Sequence, residues 1–102
     1  MPVTYSVRFA VIPAERGRFL ILLDGVLDAM RSEPMFHRAE LFEDPNDANL
    51  LMLTETWDDH DDVVTVQLQR PYREAFHAAL PEILAKPRDI AIWRSLRAEV
   101  RE

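Results

Sequence analysis

Phe36-His37-Arg38-Ala39-Glu40-Leu41-Phe42-Glu43, followed by Asp44-Pro45-Asn46-Asp47 and then Leu50-Leu51-Met52-Leu53-Thr54-Glu55-Thr56-Trp57, reads as strand, turn and strand. The middle segment is turn chemistry: proline presets its φ, and Asp and Asn side chains bond nearby backbone in place of a ladder. In the second arm Leu51, Leu53, Glu55 and Trp57 alternate onto one face. An isolated hairpin is at best marginally stable in water, so the rest of the chain must cover this face.

Upstream, Tyr5, Val7, Phe9 and Val11 alternate with Thr4, Ser6, Arg8 and Ala10, which predicts a strand over Val3 to Ile12 with one buried face. Pro13 suits the first turn of a helix. From Ala14 to Ser32, Phe19, Leu22, Leu23, Val26, Leu27 and Met30 recur at helical spacing. Gly25 weakens that helix by about 1 kcal/mol relative to alanine, and Pro34 ends it.

Downstream of the hairpin, Asp58-Asp59-His60-Asp61-Asp62 places an Asp N-cap and further acids at the positive end of a helix dipole. That predicts a short helix, although Val63-Val64-Thr65-Val66 favours a strand locally. Tyr72, Phe76, Ala79, Leu80, Ile83 and Leu84 form another helical stripe, which Pro81 is expected to kink or split. Ile90, Ile92, Leu96, Ala98 and Val100 alternate with polar residues and predict a last strand.

The order is β-α-β-β-α-α-β, the ferredoxin-like split βαβ arrangement: an α+β fold with an antiparallel four-stranded sheet and helices on one face. Residues 1–102 suffice for a single domain. The other sheet face also carries apolar residues (Leu50 and Met52, against Leu51 and Leu53), and a second copy of the chain is its simplest cover. A homodimer is therefore expected.

Composition narrows the function classes. Hydrophobic residues are 48%, charged residues 29% and net charge −6. An acidic chain without a basic stretch repels phosphate backbones, so neither nucleic acid nor an anionic membrane is an expected partner. The chain has no cysteine, which removes disulfides, thiolate catalysis and Cys-ligated metals. Met1-Pro2-Val3-Thr4 does not read as a secretion signal, and the apolar run Phe19 to Leu23 is too short to span a membrane. A cytoplasmic location is the expectation.

Several segments, in order along the whole chain, resemble the antibiotic biosynthesis monooxygenase family of dimeric α+β barrel proteins. They are Glu33-Pro34, Glu40-Leu41-Phe42-Glu43-Asp44-Pro45-Asn46-Asp47, Glu55-Thr56-Trp57-Asp58-Asp59 and Gln69-Arg70-Pro71-Tyr72. The resemblance implies a homodimer with a pocket between sheet and helices in each subunit. It also implies cofactor-free oxygenation of phenolic or quinol substrates, haem degradation, or isomerisation of a phosphorylated sugar derivative. The isomerase branch is similar around Pro71-Tyr72-Arg73 and Lys86-Pro87-Arg88. The chain departs from the family pattern at Gln67 and Tyr72, where many members have His, at Met35, where Gly is usual, and at Ala39, where Tyr is frequent.

Cofactor-free oxygenation requires a base for an activated phenol or enol, an apolar aromatic pocket and donors for developing charge. The candidate bases are His37, Glu55 and His77, and the candidate substrate-binding residues are Trp57, Tyr72 and Arg94. Trp57 is a pocket wall or a core aromatic. Glu55 shares its face and is either a base with a raised pKa or the partner of an arginine. Arg94 interrupts the last strand's apolar face and could be that partner, or could hold a substrate carbonyl or phosphate. His37 is in period with Ala39 and Leu41 and is expected to face inward, as a base or a structural histidine. His77 borders the last helical stripe, and Tyr72 opens it. His60 lies in the acidic cap and reads as a solvated residue, and Arg8 faces away from Phe9 and reads as an interface or surface residue.

Metal and haem readings are disfavoured. The three histidines lie on separate elements. Haem-degrading relatives have a Trp where this chain has Gln67 and an Asn on the first strand, where this chain has none; no cofactor is expected. Three functions follow: a monooxygenase acting on a small aromatic substrate, an isomerase of a small carbonyl compound with Arg94 or Arg73 aimed inward, and a non-catalytic dimeric binding domain.

Overall fold

The computed structural model describes residues 1–101. Strand β1 (Val3–Ala10) leads through a short 3-10 turn at Pro13–Glu15 into helix α1 (Arg16–Met30). Strands β2 (Phe36–Asp44) and β3 (Asp47–Trp57) form the hairpin. Helices α2 (His60–Thr65) and α3 (Glu74–Ile83) precede the final strand β4 (Asp89–Trp93). The sheet order is β2-β3-β1-β4 and every pairing is antiparallel. The expected ferredoxin-like α+β fold is therefore the observed one.

Register explains the core. Tyr5 lies opposite Glu55, Val7 opposite Leu53 and Phe9 opposite Leu51, so the inward sets of β1 and β3 coincide. Onto this face α1 places Phe19, Leu23, Val26 and Met30, and α3 places Phe76, Ala79, Leu80 and Ile83. Phe9 and Phe19 sit 4.9 Å apart between ring centres, and Phe76 closes the cluster at 6.1 and 5.9 Å. Each such side chain contributes roughly 1.5–3 kcal/mol by leaving water.

The acidic cap behaves as read: the Asp59 carboxylate accepts the Asp62 backbone N–H, and α2 forms despite its β-branched residues. Two expectations are corrected. Helix α3 is not split at Pro81 but runs on to Ile83. The proline sits in its last turn, and beyond it the Leu84 N–H still reaches the Leu80 carbonyl at 3.0 Å. The missing proline N–H withdraws only the bond that would go back to His77. The last strand is also shorter than expected. It ends at Trp93 because its partner ends: Thr4 pairs with Trp93, and Pro2 beyond has no N–H to donate. Leu96 lies outside any strand and is 97% exposed.

No helix among the described residues is long and apolar enough to cross a membrane.

Candidate functional site

The inward residues at the end of β3 start the site. Trp57 is fully buried, and its indole N–H donates to the Glu55 carboxylate at 2.9 Å. Phe36 packs edge-on against the indole with ring centres 5.3 Å apart. Over the other side lies Arg73, its guanidinium carbon 5.8 Å from the ring centre. Arg73 is only 5% exposed, and its Nη2 stands 3.9 Å from Glu55, within ion-pair range but beyond a hydrogen bond. Its Nε and Nη2 have no hydrogen-bond acceptor.

His77 follows Arg73 by one helical turn, which puts both on the same side of the α3 region. It opens onto a cleft of about 510 Å³, walled by Leu80, Pro81, Leu84, Lys86 and Arg88. Burial, reinforced by the charges of Arg88 and Arg73, holds the His77 imidazole below its ordinary value of 6.5. The ring is thus neutral at neutral pH and free to take a proton. Arg88 is half-buried. Burial presses against its charge, Glu55 supports it and Arg73 opposes it, yet a guanidinium stays charged in proteins.

Tyr5, opposite Glu55 in register, shares a 2.6 Å hydrogen bond with Nδ1 of His60. Burial raises the phenol's pKa, and the negative charges of Glu55 and Asp59 raise it further. Gln67 is buried at 2% exposure and donates to Asp62 at 3.2 Å, leaving its carbonyl oxygen without a partner.

Of the six residues singled out from sequence, Glu55 and Trp57 meet at Arg73, and His77 lies one helical turn along from Arg73. Trp57 is a core aromatic, not an open pocket wall, because Phe36 and Arg73 enclose it. Tyr72 stands beside the group, but its O–H donates to Glu33 at 3.2 Å, the oxygen that also takes Arg70 Nε at 2.9 Å. Burial raises its pKa, Arg73 works against that and Glu33 adds to it.

His37 and Arg94 do not join. A β-bulge separates Phe36, opposite Trp57, from Arg38, opposite Thr56. The extra residue is His37, so Phe36 takes the inward place that strict alternation assigns to the histidine. His37 is exposed and its Nε2–H donates to Asp58 at 3.2 Å. Arg94 lies past the end of β4, beside a second cavity of about 440 Å³ with Val3, His60, Ile92 and Trp93. Glu55 has Arg73, not Arg94, as its arginine. The dyad of Tyr5 with His60 and the place of Arg88 were missed, since β-strand period marks Tyr5 only as core. Among the described residues no three His, Asp or Glu side chains converge as a metal site.

A four-stranded antiparallel sheet with its helices on one face, and a polar cluster between the layers, defines a ferredoxin-like α+β domain with an internal site. The antibiotic biosynthesis monooxygenase model matches residues 2–79, and the chain belongs to that family. A protein of Pestalotiopsis microspora described as a putative monooxygenase is 32% identical over 92 residues, covering 89% of this chain and 77% of that one. The Rv0793 protein of Mycobacterium tuberculosis superposes with a TM-score of 0.87 at 22% identity, covering 98% of this chain and 100% of its own. SnoaB of Streptomyces nogalater, a cofactor-independent oxygenase, superposes with a TM-score of 0.80 at 22% identity, covering 99% and 98%.

Proposed function

We propose that this chain is a cofactor-independent monooxygenase that oxidises a small phenol- or quinol-like substrate with O2. The observation that carries the reading is His77, held neutral on an apolar cleft beside the buried Arg73 and the half-buried Arg88. Family membership and the likeness to SnoaB support the reaction class.

In this reading His77 removes the substrate's O–H proton, and the cationic donors stabilise the anion that forms. The electron-rich ring gives one electron to O2, and the radical pair combines as a C–O bond to a peroxide. Loss of the ring proton at that carbon and cleavage of the O–O bond leave a ring carbonyl and release water. One phenol and one O2 thus become one quinone and one water, and the substrate supplies every electron.

The same chain would act as a homodimer. The sheet face away from the helices carries Phe42, Leu50 and Trp93, at 40%, 36% and 59% exposure, which a second copy would cover.

One observation favours a second reading. Arg73 is aimed inward beside Glu55, as an isomerase moving a proton on a small carbonyl compound would require. Oxygen uptake separates the two. Purified protein with a panel of hydroquinones and polyphenols, without flavin or metal, is expected to consume O2, and His77→Gln to lower the rate by roughly 100-fold. Uptake no faster than autoxidation rejects the oxygenase for that panel.

A further inference from the structure

The chain carries a net charge of −6, yet no Asp or Glu lines the cleft beside His77, and its single lysine, Lys86, and Arg88 both do. The two arginines differ in what balances them. Arg73 has Glu55 at 3.9 Å. Arg88 takes part in none of the ion pairs among the described residues, although it is half-buried. A partly desolvated cation without a counter-ion is costly, and an anionic ligand removes that cost.

The remaining wall is apolar, formed by Leu80, Pro81 and Leu84. A volume of about 510 Å³ lies in the range of small-molecule sites and admits a ring. Lys86 is exposed, so water and salt screen its charge, and Arg88 is left as the half-buried cation of the cleft, with Glu55 supporting it only from beyond ion-pair distance. One half-buried positive charge is balanced by one negative charge, and a guanidinium fork matches the planar pair of oxygens of a carboxylate.

We propose that the substrate is an aromatic acid, a compact phenolic ring bearing one carboxylate that Arg88 holds while the ring lies along Leu80 and Leu84 and the hydroxyl faces His77. The inference deepens the oxygenase reading and rests on it for the role of His77. The carboxylate contact itself is tested by binding, without turnover.

The test titrates the protein anaerobically with gentisate and with its methyl ester, following heat or tryptophan fluorescence. Wild type is expected to bind the acid about tenfold or more tightly than the ester, the size of a charge-assisted hydrogen bond. Arg88→Gln is expected to erase the preference and Arg88→Lys to keep part of it. Equal binding of acid and ester by wild type overturns the proposal without any variant, and so does a preference that survives in Arg88→Gln. Competition with benzoate and phenyl phosphate names the anion. Displacement of gentisate by phenyl phosphate at about a tenth of the benzoate concentration replaces the carboxylate with a phosphate ester. Oxygen uptake is read separately. Acid-selective binding without uptake rejects the oxygenase and leaves the anion site, whereas uptake with equal affinities does the reverse.

Discussion

Arg73 and Glu55 face each other at 3.9 Å inside the protein, too far for a hydrogen bond and too close to be independent. Their side chains are 7% and 13% exposed, so each relies on the other to stay charged away from water. Glu55 also accepts the Trp57 N–H at 2.9 Å. Glu55→Gln keeps an acceptor for the indole but removes the counter-charge of Arg73. The variant is expected to lose roughly 3 kcal/mol of stability in urea denaturation, as when one partner of a buried pair is deleted. A loss below about 0.5 kcal/mol, the size of a surface pair, would mean that Arg73 draws no support from Glu55.

His77 links the site to pH. Its imidazole sits below 6.5 in the folded chain because of burial and the Arg88 and Arg73 charges, whereas the unfolded chain has the ordinary value. As pH falls through 6.5 the unfolded chain takes up a proton before the folded one does. The stability His77 contributes is thus fully present above 6.5 and is lost as pH falls towards the folded value. His77→Gln should flatten this part of the stability profile. Activity should rise with pH through an inflection below 6.5, and Arg88→Gln should move that inflection upward. An inflection unchanged in Arg88→Gln would mean that the guanidinium charge does not reach the ring.

Gly25 lies on the exposed side of α1, and a Cβ built there meets nothing within 4 Å. Gly25→Ala therefore restricts the unfolded chain and introduces no clash. It is expected to add about 1 kcal/mol of stability, read as a higher urea midpoint with unchanged slope. A lower midpoint would place Gly25 against something the folded chain covers, such as a second subunit.

The fold was legible because its signals are local and redundant. Tyr5, Val7 and Phe9 alternate, Phe19, Leu23, Val26 and Met30 recur by helical turns, and one β-hairpin joins two halves that share a face. The site was legible only in part. Glu55 and His77 lie on regular elements, so their periods place them correctly. His37 fails because one bulged residue reverses the facing of everything before it, and no residue in that stretch marks the bulge. Arg94 fails because strand length is set by the partner, and β1 runs out at its N-terminal end. Arg73 was named only as an alternative to Arg94, because arginine is seldom buried and only the packed Trp57 ring and Glu55 show which of the two goes inward.

The outward sheet face tests the dimer. Phe42 lies opposite Met52 on β2 and β3, and Leu50 follows on the same side as Met52. At the other edge Trp93 donates its N–H to Ser6 at 2.8 Å and leaves 59% of its surface open. Thr4 and Thr56 satisfy each other between them at 2.8 Å, while Arg8, opposite Met52 on the same face, is exposed. If two such faces meet, a charge at Phe42 would be buried unpaired in the interface. Phe42→Lys is then expected to weaken association by about tenfold or more in sedimentation or light scattering. The helical content should be unchanged, because the substitution lies on the face opposite α1 and α3. A wild-type chain that is monomeric at micromolar concentration would overturn the dimer, and a Phe42→Lys variant that associates as tightly as wild type would move the interface off this face.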